Sequence, residues 1–366
     1  MSKCLRVITG IESAPYIAAD YGRCYRAVHK ARFFFFAVAF LLLSGCAKTG
    51  QDLYDNYLNR LSNVLDAPKP SWSVPVVIAG PPARAMQWDV PEVRINLLAF
   101  WDTRHCELFT LISERNSILG RVMLPTQRWR FESRLLGAIE TCMDDPQTDA
   151  DLRLVLSEWR AEKQDYWPLV TWNGTLGAPE VRHLMHAESA AWPADAVPGI
   201  HGTLDDLRIM TGWVEDWPTL TLPDNQEFEA LYQRMGQHNV LGQWHRSVQL
   251  SIAGLEEGNR RLQHGVEFGR LCPANRATQR SEAANNVLVL FFVGEVQPYI
   301  ARLNSYGEDL LGSMRRLADM TGAIQAPWEA YFAQLEADAE ALRAVTREHV
   351  RLWQEVLAPC GGVTRS

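Results

Sequence analysis

Eleven apolar residues, Phe33 to Leu43, run without a charge into Ser44, Gly45 and Cys46. A helix that crosses a bilayer needs roughly 20 apolar residues, so this run is too short to span. Behind the basic stretch His29-Lys30-Ala31-Arg32 it has the dimensions of a signal-peptide core. That constrains everything downstream. The rest of the chain is expected to fold outside the cytosol, under oxidising conditions, as a body that buries its own core. Residues 1–45 are read as signal peptide and excluded from the fold. Residues 1–27 do not fit the pattern: they carry Cys4, Glu12, Asp20 and Cys24 and push the apolar run far from the start. Translation is therefore expected to begin at Val28, read from a GTG codon.

The junction Leu43-Ser44-Gly45-Cys46 resembles the lipobox of bacterial lipoproteins. The resemblance implies a diacylglyceryl group on the Cys46 thiol, cleavage before Cys46, and a further palmitate-type chain on the freed amine. Two or more acyl chains give stable anchoring, at about 0.8 kcal/mol per buried methylene. Ala47, not aspartate, follows the cysteine. By resemblance to the enterobacterial sorting rule, this favours the periplasmic face of the outer membrane. The alternative is a plain secreted signal with a chance cysteine.

Charge limits the partners. The chain carries −7, and residues 1–45 hold six basic and two acidic side chains, which leaves −11 on the rest. That argues against nucleic acid and against electrostatic docking on anionic lipid. The anchor must then supply the membrane affinity. Lys48, Lys69 and Lys163 are the lysines after Cys46; their scarcity is read as codon bias. Roughly 320 residues suit one large or two ordinary domains.

Cys106, Cys142, Cys272 and Cys360 remain after Cys46. An even count in an exported chain suggests two disulfides, with three connectivities open. Residues 92–119 and 126–143 read as two helices, with Gly120 and Pro125 bracketing a turn between them. An antiparallel hairpin would put Cys106 and Cys142 at the same height, and Cys272 with Cys360 follows by elimination. Four buried free thiols are the alternative. The spacing fits neither a zinc ribbon nor a redox CxxC pair.

The apolar periodicity is helical nearly throughout. Residues 51–66 read as an amphipathic helix with Leu53, Tyr57, Leu58, Leu61, Val64 and Leu65 on one side. Six prolines from Pro68 to Pro91 predict an extended segment. Asp149 caps a helix through about Tyr166. The middle, 167–223, is rich in proline, glycine and tryptophan, with short helices near 178–189 and 203–214. Long helices follow over 224–235, 238–269 and 276–321, the last kinked at Pro298 around the buried run Val287–Val293. Pro327 opens a final helix, 327–357. The expected fold is all-α: an elongated multi-helix bundle with a disulfide-braced helical hairpin and a Pro/Trp-rich irregular middle. The expected organisation is signal peptide 1–45; anchor, first helix and extended segment 46–91; N-terminal helical part 92–190; irregular connection 191–223; and C-terminal helical part 224–360.

The most distinctive text is Cys106, then Glu114-Arg115-Asn116-Ser117-x-Leu119-Gly120, then Pro125-x-Gln127, ending at Cys142. With the lipobox and Cys272-Pro273 it resembles an uncharacterised family of gammaproteobacterial lipoproteins, the domain-of-unknown-function family numbered 3080. The resemblance spans most of the chain after Cys46 and implies a lipoprotein of a diderm bacterium. It lends no activity and no catalytic residue. The Glu-Arg-Asn-Ser stretch reads as structural first: its charges and amides can bond helix-end carbonyls before a tight connection. Arg115 and Asn116 are also candidate binding residues, as are Trp172 and Trp192.

Motifs for chemistry are sparse. His183, His186 and Glu188 share a short stretch, but zinc needs three or four ligands and His201 is the nearest further histidine. Glu188-Ser189 faintly resembles the acid segment of lytic transglycosylases, where a glutamate of raised pKa protonates the glycosidic oxygen. An extra residue before Trp192 and a missing glycine turn depart from that pattern. There is no GxSxG, P-loop or GxGxxG. No catalytic residue, metal or cofactor is assigned. The reading is a lipid-anchored periplasmic protein of the outer membrane with a non-catalytic binding or scaffolding role and an envelope protein as candidate partner. The alternatives are a peptidoglycan hydrolase with Glu188 as acid, or a carrier of an apolar ligand between the C-terminal helices.

Overall fold

Helix formation begins at Thr49. Its hydroxyl accepts the Asp52 N–H at 3.1 Å, and the Asp52 carboxylate accepts the Thr49 N–H at 3.0 Å, a reciprocal cap that starts helix α1, Gly50–Leu65. The computed structural model describes residues 48–188, 190–215, 222–268 and 271–362. The expected signal peptide, the start at Val28, the lipidation site Cys46, Ser189 and Trp217 lie outside the described residues. The buried face of α1 holds Leu53, Tyr57, Leu58, Leu61 and Leu65 as predicted, with Tyr54 added, while Val64 is half-buried at its edge. Residues 66–96 then run as an extended strap, broken by one 3-10 turn at Ala83–Ala85. The strap is pinned by hydrogen bonds such as Arg246 Nη1 to the Pro75 carbonyl (2.8 Å) and Trp88 Nε1 to the Ala323 carbonyl (2.7 Å).

The chain continues through α2 (Leu97–Asp102), α3 (Glu107–Asn116), α4 (Ile118–Arg121), α5 (Pro125–Asp144) and α6 (Ala150–Gly174). Next come α7 (Pro179–His183), α8 (Ile200–Glu215), α9 (Asn225–Met235) and α10 (Val240–Phe268). The last part is α11 (Gln279–Asn286), a π-helix (Val287–Val296), α12 (Gln297–Thr321) and α13 (Ala326–Leu357). Among the described residues there is no strand; Thr49 and Pro193 form an isolated bridge. The fold is an all-α bundle. Its main packings are α10 with α13 and α1, α5 with α6, and α8 with α12.

The structure corrects several predicted elements. The first hairpin arm is not one helix over 92–119. Residues 92–96 are extended, Asn96 caps α2 through the Ala99 N–H, Cys106 breaks the helix in extended conformation, and Ser117 caps α4 through the Gly120 N–H. Local side-chain caps thus outcompete helical continuity. Leu97, Leu98 and Trp101, apolar residues of that arm, are exposed. The helix from Asp149 runs on past Tyr166 to Gly174, with Pro168 inside it, because Trp167, Val170 and Trp172 are buried along its last turns. Over 276–321 the departure from α-geometry lies before Pro298, not at it. The Gln297 N–H bonds the Phe292 carbonyl five residues back, and Leu290 and Val293 of the apolar run face outward.

Glycines on α10 set how closely α1 can approach. A Cβ at Gly254 would collide with the Tyr54 ring, and one at Gly265 would press on Leu65. Beside them sits a buried polar relay. Trp353 Nε1 donates to the Tyr57 oxygen (2.8 Å), and Tyr57 Oη lies 2.6 Å from His349 Nε2. His349 Nδ1 lies 2.6 Å from Asn259 Oδ1. One proton arrangement satisfies every atom: the Tyr57 hydroxyl donates to Nε2, and Nδ1–H donates to Asn259. His349 is therefore neutral, and burial pushes its pKa from 6.5 down to about 3.

Cys106 pairs with Cys142 and Cys272 with Cys360, with Cα–Cα separations of 5.5 and 5.3 Å. The predicted connectivity holds. The bridges close loops of 36 and 88 residues, each contributing about 4 kcal/mol through restriction of the unfolded chain. Cys272→Ser with Cys360→Ser is expected to lower unfolding stability by about that amount in guanidinium titration; unchanged stability would contradict it. The relay makes a second prediction. Below its ordinary pKa of 6.5 the unfolded histidine takes up a proton that the folded one refuses. Stability is whole above that pH and falls by about 1 kcal/mol per pH unit towards pH about 3. Urea melts of wild type and His349→Gln from pH 4 to pH 7.5 should show this slope flattened in the variant; equal slopes would dismiss the assignment.

Candidate functional site

The Glu-Arg-Asn-Ser stretch folds as a clamp at the end of α3. Arg115 Nη1 donates to the Gly120 carbonyl, and the Ser117 hydroxyl accepts the Gly120 N–H at 3.0 Å. A Cβ at Gly120 would strike the backbone oxygens of Glu114 and Arg115, so the turn requires glycine for close approach. Pro125 then opens α5, and Gln127 Oε1 accepts the Leu124 N–H at 3.3 Å. The Cys106–Cys142 bridge ties α5 to the start of α3. The geometry displays the structural role expected of this stretch.

The same clamp forms one wall of a cleft of about 490 Å³. Its other walls are the extended residues 91–95, α5 and α6. Apolar side chains line part of it: Val93, Ile95, Ile112, Leu135 and Trp159. The rest is charged. Arg94, Arg115, Arg121, Arg128 and Lys163 face two carboxylates, Glu92 and Glu132. This is a surplus of positive charge on a strongly acidic body.

The pairing within the cleft is uneven. Glu132, on a buried turn of α5, holds Lys163 of α6 at 2.6 Å, with the two side chains 7% and 11% exposed. Arg128 lies 3.7 Å from the same carboxylate, beyond hydrogen-bond reach, and its buried Nε has no hydrogen-bond partner. Burial pushes the Arg128 pKa down, and the nearby Arg115 charge adds to that; Glu132 and Glu92 oppose it. Arg115 reaches Glu92 only at 3.9 Å, and Glu92 is exposed. Arg94 and Arg121 are exposed and form no ion pair among the described residues.

Of the binding residues expected from the sequence, Arg115 and Asn116 line this cleft. Trp172 and Trp192 do not; both are buried in the core. The Trp172 indole donates to the Met86 carbonyl at 2.6 Å and meets Trp328 edge-on. The Trp192 N–H donates to Ser247 Oγ at 2.8 Å, and its carbonyl accepts from Tyr299. Neither presents a face for a ligand. Glu188 lies elsewhere, accepting from Asn239 Nδ2 at 3.0 Å. His183 and His186 meet edge to face, and burial together with the neighbouring His186 lowers the His183 pKa. His201 packs against Tyr306 of α12 instead. Sequence reasoning missed Arg94, Arg121, Arg128, Glu132 and Lys163. A signal was present: Lys163, a rare lysine in this arginine-rich chain, is the partner of the buried Glu132.

A family model described as "Protein of unknown function (DUF3080)" matches residues 54–363, and so covers every residue of the cleft. No curated protein matches the chain, and no solved structure does.

Breaking a buried ion pair leaves a desolvated charge and costs about 3–5 kcal/mol. Glu132→Gln, which strands Lys163 and Arg128, should lower unfolding stability by about 3 kcal/mol. Adding Lys163→Met should recover most of that loss in the same guanidinium titration. A double variant no more stable than Glu132→Gln would refute the pairing.

Proposed function

The chain belongs to the DUF3080 family of proteins of unknown function, and from that premise we propose that it is a lipid-anchored protein of the bacterial cell envelope with a non-catalytic binding or scaffolding role. The observation that carries the choice of role is the burial of the middle-section tryptophans. Trp172 and Trp192 are closed inside the core, with Trp167 and Trp213 nearly so. Glu188 does not line the charged cleft. A hydrolase acting on sugar polymers would need an acid inside a groove with exposed stacking faces. What the described body offers instead is a braced helical scaffold with a polar cleft.

The lipobox supports the anchor. Two peptide units separate Cys46 from Lys48, so the tether spans at most about 7 Å. Lys48 is itself fixed: its ammonium pairs with Glu295, and its carbonyl accepts the Ala194 N–H at 2.9 Å. The outward-facing Leu290 and Val293 lie on the same π-helix as Glu295. These outward-facing aliphatic side chains suit a body held close to a bilayer, and Ala47 after the cysteine favours the outer membrane.

Two measurements test this reading. A clickable palmitate analogue should label the wild type and not Cys46→Ala, and the intact mass of the mature chain should begin at an acylated Cys46. An unacylated N-terminus would end the anchor proposal. Glu188→Gln should leave the muropeptide profile of overexpressing cells identical to wild type; a difference between the two would restore the hydrolase.

A further inference from the structure

The cleft at the hairpin holds more positive charge than its own carboxylates neutralise. Lys163 pairs closely with Glu132, which Arg128 approaches only at 3.7 Å, and Arg115 reaches Glu92 only at 3.9 Å. Four guanidiniums, from Arg94, Arg115, Arg121 and Arg128, thus line the cleft without a close carboxylate, and Glu92 is the one further carboxylate among the lining residues. Among the described residues Arg94 and Arg121 form no ion pair. Arg128 keeps a buried Nε without a partner, and Arg115 presses its charge on Arg128 from across the cleft. Like charges held together in a partly dry cleft are unfavourable unless an anion completes them. Guanidinium forks match tetrahedral oxyanions bidentately.

The amount of charge selects the anion. With its five cations and two carboxylates the cleft is net +3. A carboxylate would neutralise one unit; a phosphate ester, at about −2 near neutral pH, neutralises most of it. The remaining lining selects what carries the phosphate. Val93, Ile95, Ile112, Leu135 and Trp159 offer apolar surface inside the cleft. The two lining segments also continue directly into apolar residues that no core covers. Leu97 and Leu98 follow Ile95 and are 78% and 79% exposed; Ile118 and Leu119 precede Arg121 and are 85% and 79% exposed. Exposed aliphatic side chains bordering a polar site mark a surface for an apolar partner group.

We propose that this cleft binds a phosphate ester carried on an alkyl body, a phosphorylated amphiphile, with Arg94, Arg115, Arg121 and Arg128 on the phosphate and the alkyl part along the apolar lining towards Leu97 and Ile118. The proposal rests on the binding role inferred above and gives that role its ligand class. It is independent of acylation at Cys46, so failure of the anchor and failure of the ligand are read in separate experiments.

The test uses the full chain in phosphatidylcholine nanodiscs, titrated calorimetrically with decyl phosphate, decanoate and inorganic phosphate, with empty nanodiscs as background. Decyl phosphate should bind at least tenfold more tightly than either of the others. The double variant Arg94→Glu, Arg121→Glu should lose that binding at least tenfold. Both positions are exposed and form no ion pair among the described residues, so its melting temperature should stay near wild type. Equal binding of decanoate would overturn the choice of phosphate. Equal binding of inorganic phosphate would reassign the cleft to a free phosphate. Undiminished binding by the folded double variant would place the ligand elsewhere, and no binding of decyl phosphate by wild type would remove the proposal.

Discussion

Tyr57 sits where the N-terminal helix, the long helix α10 and the C-terminal helix α13 meet, and the packing of all three turns on satisfying its hydroxyl. The Trp353 indole donates to it from α13, His349 receives its proton, and Asn259 of α10 takes the far side of the imidazole. An unsatisfied buried hydroxyl costs kilocalories, so the relay permits only one register of α1. The glycines of α10 make that register reachable. Tyr54 lies where a Cβ on residue 254 would lie, and the His349 ring lies close to Gly258. Close backbone approach, ring packing and a neutral buried histidine are therefore one constraint. The π-helix supplies Phe292 to the same cluster, tilted against both Tyr57 and His349.

How far the fold can be read from the sequence depends on which force decides each element. Where burial decides, periodicity is enough: α1 buries its predicted leucines and Tyr57, and α10 and α13 nearly match their predicted ends. Where a local hydrogen bond decides, periodicity misleads. The run from Glu92 to Leu119 has helical spacing, but Asn96 and Ser117 each turn a side chain onto a backbone N–H and restart the helix. Pro168 misleads in the opposite sense. It reads as a stop, yet the packing of Trp172 against Trp328 and of Gly174 against Trp129 holds the last turns of α6. The seven-residue apolar run at Val287 reads as wholly buried because hydrophobicity carries no direction. The π-geometry turns Leu290 and Val293 outward.

The cleft was legible only in part for a related reason. Net charge describes a surface as a whole, and −11 after residue 45 argues correctly that the body repels anions on average. It cannot show that Arg94, Arg115, Arg121 and Arg128, spread over 35 residues of sequence, converge when the extended segment crosses the hairpin. Arg115 and Asn116 could be singled out because they stand in an unusual turn motif. Their partners on α5 and α6 occupy ordinary helical positions.

The disulfide between Cys106 and Cys142 joins these two halves. The arm from α2 to α4 buries little: Leu108, Leu111 and Ile112 face inward, while its remaining large side chains are mostly exposed. A segment with so few apolar contacts would open at low cost if burial alone held it. The covalent tie to the end of α5 removes that freedom. It keeps the wall carrying Arg115 and Arg121 opposed to the wall carrying Arg128 and Glu132. A cluster of like charges would otherwise push these walls apart; the disulfide closes the end of the hairpin opposite the Gly120 turn, so the two walls are tied at both ends. The hairpin can then leave its aliphatic side chains outside the core, because its position does not depend on burying them.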